Sequence, residues 1–147
     1  MTRPLRWRAA VHNADVLAEA GAALILASLA IRWLPFARVL ALAGWQGAPR
    51  RVDAALARRA RWAVDRLADV VPWRAVCFQR GLALHWILRR RGMASLLHYG
   101  VGREGDGVSA HVWVSLDGAV LIGAEEAALH PCLLVRPLPL PVDAPAT

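Results

Sequence analysis

The sequence contains no lysine; its 18 basic residues are all arginine, set against 11 acidic ones for a formal charge of +7. Such uniform arginine usage reads as genome composition rather than as a device. Basicity admits nucleic acid, anionic lipid or an acidic peptide as partner. The arginines gather at Arg50–Arg51, at Arg58, Arg59 and Arg61, and at Arg89–Arg91, each beside apolar helix. No winged-helix, zinc-finger or aromatic RNA-binding signature accompanies them, so no nucleic-acid partner is expected. Only two cysteines occur, Cys77 and Cys132, without paired spacing. That excludes a zinc ribbon, argues against a disulfide scaffold and makes a reducing cytoplasm the expected compartment. No phosphate-binding glycine loop is present, and no metal or cofactor is expected. Residues Met1–Asp15 lack the charged-then-apolar order of a secretory signal. The uncharged stretch Ala20–Ile31, bracketed by Glu19 and Arg32, falls short of the roughly 20 residues that span a bilayer. A packing helix is the favoured reading, with peripheral contact to the inner face of the membrane as the alternative.

What is abundant is apolar surface. Hydrophobic residues make up 57% of the 147, and seven are tryptophan, enough for one compact domain with a sizeable core. Helical periodicity covers Ala14–Leu34, then Phe36–Leu42 after Pro35, then Val52–Val70. A strong helix follows over Ala75–Arg91, stopped by Gly92, its three terminal arginines suited to the negative end of the dipole. Past Gly92 the period becomes two. Ser95–Val101, Val108–Leu116 and Ala119–Gly123 read as strands, Gly102–Gly107 as a loop, and Asp117-Gly118 as a hairpin turn. Helices first, then antiparallel strands, give an α+β fold. It is divided into a helical extension over 1–50 and a core over 51–147.

Cys77 falls in the first turn of the strong helix. Unpaired N–H groups and positive potential there favour a thiolate and can hold an oxyanion. His111 lies on the strand SAHVWVSL, where an imidazole is expected to face the thiol across the gap between helix and sheet. Taken alone, each residue has a plainer reading, as a buried cysteine and a hydrogen-bonded structural histidine.

The surrounding pattern shifts that balance. Trp73 and Cys77 stand in a Trp-x-x-x-Cys motif, followed by an apolar helix ending in Arg89–Gly92 and, after a strand, by Ala110, His111, Trp113 and Val114 ahead of an Asp-Gly turn. This pattern, with the Leu34–Phe36 lead-in, resembles the papain/transglutaminase-like fold, in which the cysteine-bearing helix packs on a small antiparallel sheet. Within it, the split-type leader peptidases of lasso-peptide biosynthesis are most similar. The resemblance runs from about residue 14 to 129. It implies a cysteine peptidase that cuts the leader from a ribosomally made precursor, with Cys77 as nucleophile and His111 as base. It also implies a separate leader-recognition protein and a lasso cyclase as partners. Another transglutaminase-like acyl transfer and a non-catalytic scaffold are the alternatives.

Trp73, just before the helix, is a candidate to shape the entrance of the substrate site or to anchor the turn. Trp113, on the strand face of His111, is a candidate to wall the substrate groove; core packing explains it equally well. The family's imidazole-orienting Asp, about a dozen residues past the histidine, has no counterpart, because Gly123 and Ala124 occupy those positions. Asp117 lies about 20 Å from His111 along a strand rising roughly 3.3 Å per residue, so it is turn chemistry. With a two-residue turn, pairing outward from Leu116 and Ala119 sets His111 opposite Ala124. Glu125 or Glu126 then starts just beyond, with Glu125 the candidate orienter and a backbone carbonyl or water the alternative. His85 reads as a packing residue and His98 as structural, while Cys132 has no assigned role.

Overall fold

A computed structural model of the chain describes residues 13–44, 51–104 and 106–123. Among these residues, four helices precede one antiparallel sheet: α1 Ala14–Trp33, α2 Phe36–Ala43, α3 Ala54–Ala68, α4 Cys77–Arg90, β1 Leu96–Glu104, β2 Gly107–Leu116 and β3 Ala119–Ile122. The strand order is β1-β2-β3, the α+β arrangement expected.

The helices meet on small residues. α1 buries Val16, Ala20, Ala23, Leu24, Ala27 and Ala30 along one face, and α3 answers with Ala57, Ala60, Ala63 and Val64. Short side chains at these positions let the helix axes approach closely, and the same core takes in Leu82, Leu84 and Leu88 of α4. The N-terminal helices therefore share the core of the cysteine-bearing helix. α1 is also pinned electrostatically. Glu19, only 10% exposed, takes Arg90 Nε at 2.7 Å and Arg91 Nε at 2.9 Å. Those arginines thus serve a buried carboxylate as well as the helix dipole. Asp53 caps α3 by accepting from Leu56 N at 2.9 Å, an interaction worth about 1 kcal/mol.

α4 lies against the sheet through Gly81. A Cβ there would meet Val112 Cγ1 at 2.8 Å and Val114 Cγ2 at 3.7 Å, so the missing side chain sets the helix–sheet distance. One turn further on, His85 bridges elements rather than doing chemistry. Its Nε2 lies 2.7 Å from Ala43 O and its Nδ1 2.9 Å from Ser95 Oγ. Since a carbonyl only accepts, Nε2 carries the proton and Ser95 donates to Nδ1. Burial drives its pKa down to about 4, which keeps the ring neutral. Phe36, Phe78 and Tyr99 close a second contact between α2, α4 and β1, with ring centroids 5.4–6.4 Å apart.

The sheet departs from expectation in two places. Gly102–Glu104 are strand, paired with Ser109, Val108 and Gly107, where a loop was read. The ladder bonds are backbone bonds, which glycine makes as well as any residue. The β2–β3 hairpin turns at Asp117 (φ 50°) and Gly118 (φ 78°), as an Asp-Gly pair demands. Leu116 pairs with Ala119 and Ser115 with Val120, but a bulge then makes Val114 pair with Ile122. The unbroken count that set His111 opposite Ala124 therefore does not hold: one extra residue on β3 shifts the register.

Candidate active site

Cys77 is the first residue of α4, and the extended residue Val76 (φ −77°, ψ 172°) ends the approach. Gln79 Oε1 accepts from Val76 N at 2.7 Å, the reach-back half of a capping box. Arg80 N bonds to Val76 O at 3.2 Å, which leaves the N–H groups of Cys77, Phe78 and Gln79 without intrahelical acceptors. The helix starts two residues later than its periodicity indicated, because Gln79 closes the turn at Val76. The shift puts the thiol at the very start of the helix.

Arg80 holds the approach loop in place. Its guanidinium meets Asp69 Oδ1 at 3.0 Å and Asp65 Oδ1 at 4.0 Å, while Nε donates to Ala75 O at 3.1 Å. The end of α3, the loop and the first turn of α4 are thereby joined around a cleft of about 630 Å³. Asp65, Ala68 and Asp69 form one side. Trp73, Arg74, Ala75 and Val76 form the lip, with Cys77 and Arg80 at the helix start. Val112, Ile122 and Gly123 supply the sheet wall. Cys77 is half-buried. A thiol at a helix N-terminus, partly open to a cleft of this size, has both the access and the N–H donors that acyl chemistry on a peptide requires.

The cleft brings Cys77 and Trp73 together. Trp113 is not among the residues lining it. Val112 and Val114 project toward Gly81 of α4, so strand alternation turns His111, Trp113 and Ser115 to the other face of β2. There Trp113 is buried and stacks on His98, its cross-strand partner, with centroids 5.3 Å apart and ring planes within 4°. His98 Nε2 lies 2.7 Å from Ser115 Oγ, and desolvation lowers its pKa. Trp113 is thus a packing residue held by His98 rather than a wall of this cleft.

His111 is half-buried and immediately precedes the cleft residue Val112. Its cross-strand partner is Gly100, which presents no side chain. By the same alternation His111 lies on the strand face turned from α4, not on the face where an imidazole was expected to meet the thiol.

Gly123 explains the missing aspartate. Its φ is 77°, and a Cβ on it would stand 2.7 Å from both Trp113 Cβ and Val112 O. No side chain fits there, so no carboxylate can occupy the position a dozen residues past His111. Glu125, Glu126 and Cys132 lie outside the described residues. Two features escaped the sequence reading, the Arg80 clamp and the His98–Trp113 stack. Pairing His98 with Trp113 across the hairpin was the signal available for the second.

A family model described as the transglutaminase-like superfamily matches residues 21–133. Neither the comparison with curated proteins nor that with solved structures yields a match.

Proposed function

The chain belongs to the transglutaminase-like superfamily, and on that premise we propose that it is a cysteine peptidase that removes the leader from a lasso-peptide precursor. The observation that carries the enzymatic reading is Cys77 at the first position of α4, half-buried at the edge of a cleft. The lasso assignment rests on the residue pattern from Trp73 through Gly118. The precursor leader, a separate leader-recognition protein and a lasso cyclase are the partners that follow from it.

In the proposed reaction, His111 takes the Cys77 proton and the sulfur attacks the scissile carbonyl. The N–H groups of the first turn of α4 receive the oxyanion. Collapse expels the amine of the core peptide, protonated by His111, and leaves a thioester on Cys77. Water, deprotonated by the same imidazole, hydrolyses the thioester and frees the leader. Glu125 is the proposed orienter of His111. Trp73 contacts the substrate at the lip.

One observation favours a second reading. The strand face of His111 is the one turned from α4, which fits a non-catalytic scaffold in which the thiol has lost its base. A transglutaminase-like acyl transfer in another peptide-modification pathway uses the same two residues and differs only in product. Incubating precursor and recognition protein with wild-type chain, Cys77→Ala and His111→Ala, followed by mass spectrometry, separates the three. Cleavage lost in both variants supports the peptidase. A new amide in place of free leader indicates transfer, and an uncut precursor with wild-type chain indicates the scaffold.

A further inference from the structure

α1 has 20 residues and enough hydropathy to cross a membrane by length and composition, yet one face is committed to the core and Glu19 is fastened to Arg90 and Arg91. It cannot leave the fold to span a bilayer without breaking both. Its surplus apolarity lies on the opposite side. Ile25, Leu26, Leu29 and Trp33 are all exposed at helical spacing, and exposed Leu42 of α2 lines one groove with Leu26, Leu29 and Trp33. Trp33, 73% exposed, is the most exposed large apolar residue described. A contiguous patch of this kind is uncommon on a monomer's free surface and marks a contact site.

Charge indicates what covers it. Between Glu19 and Asp53 the sequence contains no acidic residue, while Arg32 and Arg38 are exposed beside Trp33 and Phe36. An apolar stripe with tryptophan at its end and arginines alongside is the make-up of a helix that lies in a lipid interface. We propose that the α1–α2 elbow seats on an anionic lipid bilayer, with Ile25, Leu29, Trp33 and Leu42 in the headgroup–acyl boundary and Arg32 and Arg38 against acidic headgroups. This mode is peripheral, so α1 stays in the core. The surface is separate from the Cys77 cleft and independent of the peptidase reading.

Vesicle co-sedimentation of the full chain tests it, using phosphatidylcholine vesicles with and without about a quarter phosphatidylglycerol. Two nearby arginines are expected to give a preference for the anionic vesicles of more than about tenfold, lost at about 0.5 M salt where charge is screened. Leu29→Glu with Trp33→Ser is expected to abolish sedimentation. Arg32→Gln with Arg38→Gln, both at exposed positions, is expected to remove the anionic preference with the circular dichroism spectrum unchanged. Three results would overturn the proposal: no binding to either vesicle, binding that ignores both variants, or a dimer in solution dissociated by Leu29→Glu, which would make the stripe a self-association surface.

Discussion

Replacing Gly81 tests whether α4 is seated on β2 as described. An alanine there brings a Cβ to 2.8 Å from Val112 Cγ1, well inside contact distance. Alanine gains about 1 kcal/mol in helix propensity over glycine, while overpacking costs about 1–3 kcal/mol. The net expectation for Gly81→Ala is a destabilisation of up to about 2 kcal/mol. Val112→Ala alone removes two buried methyl groups' worth of contact and costs about 2 kcal/mol. In the double variant the new Cβ occupies space vacated by Val112, so the losses do not sum. A coupling of about 1–2 kcal/mol in favour of the pair is expected. Urea unfolding followed by far-ultraviolet circular dichroism measures all three. Because the shift also moves Cys77, Gly81→Ala should lower turnover by as much as about a hundredfold, the cost of an ångström-scale misplacement. Additivity to within about 0.5 kcal/mol would refute the contact.

Other outcomes follow from the same geometry. Gly123→Asp, which restores the family's acid at that spacing, should destabilise the chain by about 2 kcal/mol or more without raising the cleavage rate, because φ is positive and the site is filled. A faster enzyme would contradict this. His85 has a folded pKa of about 4 against an ordinary 6.5, so the unfolded chain binds the extra proton first. Its contribution is complete above pH 6.5 and declines as pH falls toward 4, by about 3 kcal/mol at most. His85→Asn should flatten that part of the stability–pH curve. Arg80→Gln should cost under about 1 kcal/mol in stability, its ion pairs being partly exposed. It should nevertheless reduce kcat/KM about tenfold or more by loosening the cleft lip, a split that paired unfolding and cleavage assays reveal.

Most of the fold could be read from periodicity. Helical spacing marked all four helices, and the change to period two after Gly92 marked the sheet. Asp117-Gly118 named its turn because only left-handed backbone closes such a hairpin. What stayed illegible is tertiary. Nothing local shows that Gly81 and Gly123 are glycines because Val112 and Trp113 press on them. Nor does the sequence declare the bulge in β3, a single extra residue that alters which side chains stand level. The start of α4 was misjudged by two residues because a glutamine cap outweighs apolar periodicity. At the site, the place of Cys77 at a helix start was legible. Trp113 was assigned to the groove by its closeness to His111, whereas the pleat turns it to the far face.

The central claim is that His111 serves the Cys77 thiol. Its most direct test is the rate of Cys77 alkylation by iodoacetamide at pH 6.5, in a Cys132→Ser background, with and without His111→Ala. If the imidazole draws the proton from the sulfur, the chain with His111 should react about tenfold faster or more than the variant, since only thiolate is alkylated. Equal rates in the two folded proteins would contradict the pairing.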